Sequence, residues 1–263
     1  MEIWSPQNSR VKEWAALLDK KHRDKQGKFI IEGIHLVKEA LAAQADMECI
    51  CYDLEKGIPH ELSAISASGL GVEWIGVSAA VIGKCTDTPT PQPVFAVVRK
   101  DNPLPDGLLE IPNGLVVVLD GVQDPGNVGT IIRSADAVGA DGVIVGRGCA
   151  DIYAPKVIRS TMGSLFHVPV VPYDLKEILP RAQEKGIRLA GTSLQAKGNC
   201  YTYDFTGPVW LLFGSEAKGL SEEVRGFMDD GLLIPMHGQA ESLNVAMAAS
   251  VLLYEALRQR CYN

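Results

Sequence analysis

The sequence predicts an α/β protein of two domains, and three observations carry that expectation. Five short apolar runs in the second half, LVVVLD, GVIVG, IRLAGT, VWLLF and GLLIP, are bounded by turn signals and interleaved with helical patterns, as buried parallel strands require. Four earlier runs, KFIIEG, MECICYD, GVEWIGV and PVFAVV, read as strands separated by helical stretches. Between the two groups RKDNPLPDGLLEIPN, residues 99–113, concentrates Pro, Asp, Asn and Gly, and its prolines disfavour a continuous element. Residues 1–98 therefore read as a small α/β domain, 99–113 as a linker and 114–263 as a second α/β domain.

Composition sets the outer bounds. The chain has 263 residues and 46% hydrophobic content, enough to bury a sizeable core. No apolar run approaches the roughly 18 residues of a membrane helix, and Trp4, Pro6 and Gln7 interrupt any apolar stretch at the start. A cytoplasmic location is the expectation. Cys49, Cys51, Cys85, Cys149, Cys200 and Cys261 show neither CxxC pairing nor framework spacing, so they read as reduced thiols. A net charge of −7 argues against a protein that simply coats nucleic acid. Yet Lys20, Lys21, Arg23, Lys25 and Lys28 crowd the beginning of the chain, where a local basic surface and an ordinary solvated face both fit.

Taken in chain order, Val11, Trp14, Ala15 and Leu18 recur at helical spacing over residues 8–18. In the second domain, LVVVLD runs into the turn GVQDPGNVG. There Asp124 can cap a helix, Pro125 suits its first turn, and Gly126 and Gly129 leave room for a ligand beside the backbone. Free amides at such a turn favour an anion. Arg133 lies one turn beyond Gly129, and long helical side chains lean back toward the N-terminus, so its guanidinium is expected over the glycine and toward Asn127. A turn that only packs helix on strand fits the same residues, as does a dinucleotide site, although the GxGxxG spacing is absent.

The segment VWLLFGSEAKGLSEEV leaves a buried strand, presents Gly214, Ser215 and Glu216, and reaches Gly219 before a helix capped by Ser221. Glu216 would then stand at the carboxyl edge of the sheet, where open α/β folds bind ligands; an exposed loop acid would look the same. Next, GLLIPMHGQAESLN takes a strand through Pro235 into a polar loop and starts the last helix at Ser242, with Asn244 just beyond. Capping is the ordinary role of such residues. His237 has no second ligand at metal spacing, and no metal is expected. The last helix is apolar almost all round through Leu243, Ala246, Met247, Val251, Leu252, Leu253 and Leu257, which places it inside the domain or against a partner subunit.

Together, NVGTIIRSADAVGA, FGSEAKGL and IPMHGQAESLNVAMAASVLLYEALRQR resemble, in that order, the three motifs of the SpoU/TrmH family of RNA 2'-O-ribose methyltransferases in the SPOUT superfamily. SPQNSRVKEWAALLDKKHRDKQGKFIIEGIHLVKEAL is similar to the start of the substrate-binding domain of ribosomal-RNA members, a small α/β RNA-binding fold that resembles a ribosomal protein. The resemblance implies S-adenosylmethionine as methyl donor, a deep trefoil knot in the parallel-sheet domain, and a homodimer. By the same resemblance Asn127, Arg133, Glu216, Ser242 and Asn244 occupy catalytic positions. The cofactor is expected against backbone groups at Gly214, Ile234, Met236 and Leu243, with Thr192 and Ser193 near the preceding strand end. Arg10, Lys12, Lys20, Lys21, Arg23, Lys25 and Lys28 become the candidate RNA contacts.

The chemistry so implied asks for positioning more than covalent help, because a sulfonium already activates its methyl group. Arg133 is expected to orient a phosphate and help remove the 2'-hydroxyl proton, with Asn127 and Ser242 fixing its side chain. Arginine is a poor base, so a purely electrostatic role with water or phosphate as proton acceptor is the other version. RNA is expected rather than DNA because DNA lacks the reacting hydroxyl. The expected substrate is 23S ribosomal RNA. Transfer-RNA ribose methylation is the rival within the enzyme class, and a non-catalytic RNA-binding assembly factor is the rival outside it. A nicotinamide-dependent dehydrogenase would need a GxGxxG turn that the chain lacks.

Overall fold

The computed structural model describes residues 1–67, 71–101, 103–193, 196 and 198–262. It divides into two compact units, Met1–Asp101 with Asp151–Phe166, and Asn102–Ala150 with His167–Asn263.

The first unit carries strands β1 (Glu2–Ile3), β2 (Lys28–Glu32), β3 (Met47–Asp53), β4 (Glu73–Val77) and β5 (Val94–Arg99), in the sheet order β1-β4-β3-β5-β2. β5 runs antiparallel to β2 and β3, while β4 runs parallel to β1 and β3. Its helices are α1 (Ser9–Ala16), α2 (Lys20–Gln26), α3 (Ile34–Ala42), α4 (His60–Ala67) and α5 (Ala79–Cys85). Strand side chains alternate between faces, so Cys49 and Cys51 of β3 share one face with Ile75 and Val77 of β4 and Phe95 and Val97 of β5. Val11 and Trp14 of α1 close that core, since helical residues three apart share a face. All six cysteines are free thiols, and burial pushes Cys85 up to about 12, which keeps it in the unreactive protonated form.

The second unit begins with α6 (Asp106–Leu109), β6 (Leu115–Asp120), α7 (Pro125–Ala137) and β7 (Gly142–Val145). After α8 (Pro155–Thr161), which lies in the segment grouped with the first unit, come β8 (Val170–Pro172), α9 (Leu175–Glu184), β9 (Arg188–Thr192) and β10 (Gly198–Asn199). β11 (Val209–Gly214), α10 (Glu222–Arg225), β12 (Asp230–Leu233) and α11 (Val245–Cys261) complete it. All pairings in its sheet are parallel, in the order β10-β12-β9-β11-β6-β7-β8. β7 and β11 are buried throughout because helices cover both faces of such a sheet, which is why their sequences run apolar without alternation. Leu108 and Leu109 of α6 enter the same core as Val116, Val118, Trp210 and Leu212, so the proline-rich stretch contains one packed helical turn.

From β6 the chain moves outward through β7 and β8, then returns on the other side of β6 to lay down β9 and, later, β11 between β9 and β6. The strand succession therefore reverses beside β6, and in open α/β sheets ligands bind outside the carboxyl ends of strands at such a reversal.

One expected RNA contact is corrected by the structure. Arg23 is 3% exposed, within the first unit. Its guanidinium donates to the Asp151 carboxylate from Nη2 at 2.7 Å and from Nε at 3.2 Å, and from Nη1 to the carbonyls of Leu17 and Leu18, both at 2.8 Å. Every edge of the fork is committed, so Arg23 is structural and unavailable to a phosphate. Other members of the basic run are paired as well: Arg10 with Glu73, Lys20 with Asp24 and Lys28 with Glu48. Lys12, Lys21 and Lys25 are exposed. Among the described residues, no helix is long and apolar enough to cross a membrane.

Candidate active site

Two strand ends and one helix start bring the three motif segments together. β6 ends at Asp120 and β11 at Gly214, which are register partners on adjacent parallel strands. Beyond β6, the Asp124 side chain caps α7 by accepting from the Asn127 amide at 2.9 Å, and Pro125 occupies the first turn, where no N–H is needed. This local chemistry sets Asn127 in the first turn of α7.

Beyond β11 the chain folds sharply back on itself. A Cβ at Gly214 would lie 2.0 Å from the Gly219 carbonyl carbon and 2.1 Å from the Leu220 nitrogen, so only glycine permits this approach of backbone to backbone. Ser215 N donates to Gly219 O at 3.0 Å and Gly219 N returns the bond to Ser215 O at 2.8 Å. Gly219 has φ +68°, a conformation that costs other residues strain. Glu216 rides on this tight turn, at the carboxyl edge of the sheet as expected.

Asn244 supplies the third piece. It caps α11, its Oδ1 accepting from Ala246 N at 2.9 Å and Met247 N at 3.4 Å, and this leaves Nδ2 free to donate to Asn127 Oδ1 at 3.1 Å. Asn127 Nδ2 in turn donates to Glu216 Oε1 at 2.7 Å. A continuous run of hydrogen bonds, Asn244 to Asn127 to Glu216, thus joins the three motifs, and it fixes which way the Asn127 amide faces because both of its ends are committed. Partial desolvation pushes the Glu216 carboxyl up, but the Asn127 hydrogen bond and the backbone amides of Glu216, Gln123 and Asp124 outweigh it and hold it below the usual glutamate range. At neutral pH Glu216 is therefore an ionised acceptor that organises the turn. The part played by the Gln123 and Asp124 backbone has no sequence signal of its own, since any residue supplies an amide.

Arg133 and Ser242 stand apart from this network. Arg133 is exposed on α7 and makes no hydrogen bond or ion pair with the described residues, and the expected contact with Asn127 is absent; Asn127 is engaged instead by Asn244 and Glu216. Ser242 is exposed, two residues ahead of the cap; α11 starts at Val245, so the capping expected of Ser242 is performed by Asn244. α7 and α11 are tied to each other farther along by the Ser134 and Ser250 hydroxyls, 2.8 Å apart.

The residues expected at the cofactor line one sheet edge. Thr192 ends β9, Gly214 ends β11, and Ile234 and Met236 follow β12, three strands adjacent in the sheet. Ser193 donates its amide to Leu232 O at 3.0 Å, holding the end of β9 against β12. Ile234 and Met236 are half-buried and Leu243 is 40% exposed. Among the described residues, no group of three or more His, Cys, Asp or Glu could hold a metal ion.

Known proteins are similar to this chain in sequence and fold. Residues 114–254 match the SpoU rRNA Methylase family, and residues 8–96 match the MRM3-like substrate binding domain. The chain is 38% identical over 253 residues to the 23S rRNA (guanosine(2553)-2'-O)-methyltransferase RlmP of Bacillus subtilis, covering 96% of this chain and 98% of that protein. It is 35% identical over 264 residues to a 23S rRNA (uridine(2479)-2'-O)-methyltransferase of Streptomyces viridochromogenes, covering 96% and 91% of the two chains. The crystal structure of the SpoU methyltransferase AviRb from that organism, in complex with AdoMet, superposes with a TM-score of 0.89 at 34% identity, covering 98% of this chain and 100% of the other.

Proposed function

The chain belongs to the SpoU rRNA methylase family, and from that premise we propose that it transfers a methyl group from S-adenosylmethionine to a ribose 2'-hydroxyl of 23S ribosomal RNA. The observation that carries this reading is the run Asn244–Asn127–Glu216 at the strand reversal, which joins all three motifs.

S-adenosylmethionine supplies, when bound, an electrophilic methyl group on a sulfonium. Main-chain groups at Gly214, Ile234, Met236 and Leu243 would hold it, with Thr192 and Ser193 near the end of β9 as further contacts. Glu216 and Asn244 hold Asn127, and through it the start of α7. Arg133, exposed on that helix, orients a phosphate of the target nucleotide and stabilises the charge that develops as the hydroxyl loses its proton. Ser242 stands free in the loop before α11 for the same substrate. Lys12, Lys21 and Lys25 reach RNA phosphates from the first unit, a role from which Arg23 is withdrawn. A deep trefoil knot in the second unit and a cytoplasmic site of action belong to the same reading.

The functional unit is a homodimer. α11 buries Ala246, Ala249, Leu252, Leu253 and Ala256 within its own unit, but Leu243, Met247 and Tyr254 stay 40%, 53% and 54% exposed. Met247 and Tyr254 are two helical turns apart, so they form a stripe that a second copy would cover. Replacing both Met247 and Tyr254 by glutamate should raise the dimer dissociation constant by about 100-fold or more. Light scattering reads the result; a wild-type chain that is monomeric at micromolar concentration overturns the dimer.

The function itself is tested by incubating the purified chain and radiolabelled S-adenosylmethionine with separate pools of 23S ribosomal RNA and transfer RNA. Label at a ribose of 23S RNA, mapped by its resistance to alkaline cleavage, is the expected result. Label confined to transfer RNA, or to a base, overturns the reading.

A further inference from the structure

Asp120 takes no part in the run that joins the three motifs, yet it holds two of their loops at the base. It is the last residue of β6, and its Oδ2 accepts a hydrogen bond from the Ser221 amide at 2.7 Å. Ser221 is where the chain emerges from the Glu216 turn; it caps α10, its hydroxyl accepting from Val224 N at 3.3 Å. The turn is therefore secured at both ends, by the strand pairing of Gly214 with Asp120 on one side and by the Asp120 carboxylate on the other.

At its tip the same turn meets the loop that Asp120 begins. Glu216 accepts from the Asn127 side chain and from the amides of Gln123 and Asp124. The loop after β6 and the loop after β11 thus touch twice: at the base through Asp120 and Ser221, and at the tip through Glu216. With the base contact gone, the Ser221 amide loses its acceptor and the tip is free to pivot, and an error of about 1 Å in a catalytic constellation can cost on the order of 100-fold in rate.

We propose that Asp120 is a positioning residue for methyl transfer, which sets Glu216 against Asn127 by anchoring the far end of the Glu216 turn through the Ser221 amide. The proposal rests on the functional reading above only in that Glu216 and Asn127 belong to the catalytic site.

The test uses the full chain in five forms: wild type, Asp120→Asn, Asp120→Ala, Glu216→Ala, and Asp120→Ala combined with Glu216→Ala. An asparagine oxygen can accept the same N–H, so Asp120→Asn should retain turnover within about threefold, whereas Asp120→Ala should lower kcat by about 10- to 100-fold. If Asp120 acts through Glu216, the alanine loss should largely vanish in the Glu216→Ala background, where no acceptor is left for Asn127, because two residues acting as one unit are not additive. Multiplicative losses, or an asparagine variant as impaired as alanine, overturn the proposal. Hydrogen exchange provides a readout that needs no turnover: Asp120→Ala should speed exchange in residues 215–221 while the β6 and β11 amides stay protected. Unchanged exchange there overturns the proposal even if the chain methylates no RNA, a result that would by itself remove only the functional reading.

Discussion

Arg133→Ala should lower methyl transfer by about 100- to 1,000-fold while leaving folding untouched. Arg133 is exposed and bonds none of the described residues, so truncating it removes nothing that the fold depends on; a stability change within about 0.5 kcal/mol is expected. On the proposed function, its work would begin when RNA arrives. A guanidinium aimed at a phosphate presents two parallel donors in a rigid plane, which a lysine ammonium cannot reproduce, and Arg133→Lys should fall nearly as far as Arg133→Ala. The loss should appear in kcat/KM for RNA and in kcat at saturating S-adenosylmethionine, with cofactor affinity measured by calorimetry unchanged, because the phosphate contact is made on RNA binding whereas the developing charge is met only in the transition state. Near-normal turnover in Arg133→Ala would sink both the acid–base and the electrostatic version of its role.

Arg23→Met should be the most damaging substitution in the first unit. Arg23 and Asp151 have side chains only 4% and 12% exposed, and removing the cation strands a carboxylate and two carbonyls that close α1. Breaking a buried pair by deleting one partner costs about 3–5 kcal/mol, mostly the penalty of the charge left behind. The urea midpoint should fall accordingly, and Asp151→Leu added to Arg23→Met should restore much of it, since a pair replaced on both sides leaves no stranded charge. Lys21→Met, at an exposed member of the same basic run, should do the reverse: leave the midpoint in place and reduce RNA affinity together with its salt dependence. Equal urea midpoints for Arg23→Met and the wild type would show that the pair stabilises nothing.

The contrast between Arg23 and Lys21 marks what a linear reading can see. Periodicity and turn chemistry are local, so nine strands from KFIIEG to GLLIP stand where their apolar runs place them, and the Asp124 and Ser221 caps are formed as the residues require. β1, β8 and β10 escape such a reading because two or three residues carry no period. That Asn127, Glu216 and Asn244 belong to one site was legible only through resemblance; nothing in their spacing shows that a strand reversal brings positions 89 and 117 residues apart into hydrogen-bond contact. Arg23 looks like its neighbours in sequence because the acid that claims it lies 128 residues away. The shift of the last cap from Ser242 to Asn244 is of another kind, since both residue types cap well and only the path of the loop decides between them.

Residues 151–166 fall inside the 114–254 match to the SpoU family, yet they group with the first unit, where α8 packs on β2 and Asp151 engages Arg23. The unit that would select the RNA is thus written in two places along the chain. A transplant with one breakpoint between the two family matches would carry over a first unit without α8 and with Arg23 deprived of its acid. A working exchange of specificity modules between relatives needs two breakpoints more. Drift in residues 151–166 should accordingly be paced by changes in residues 1–101, although both flanks of that short segment belong to the catalytic sheet.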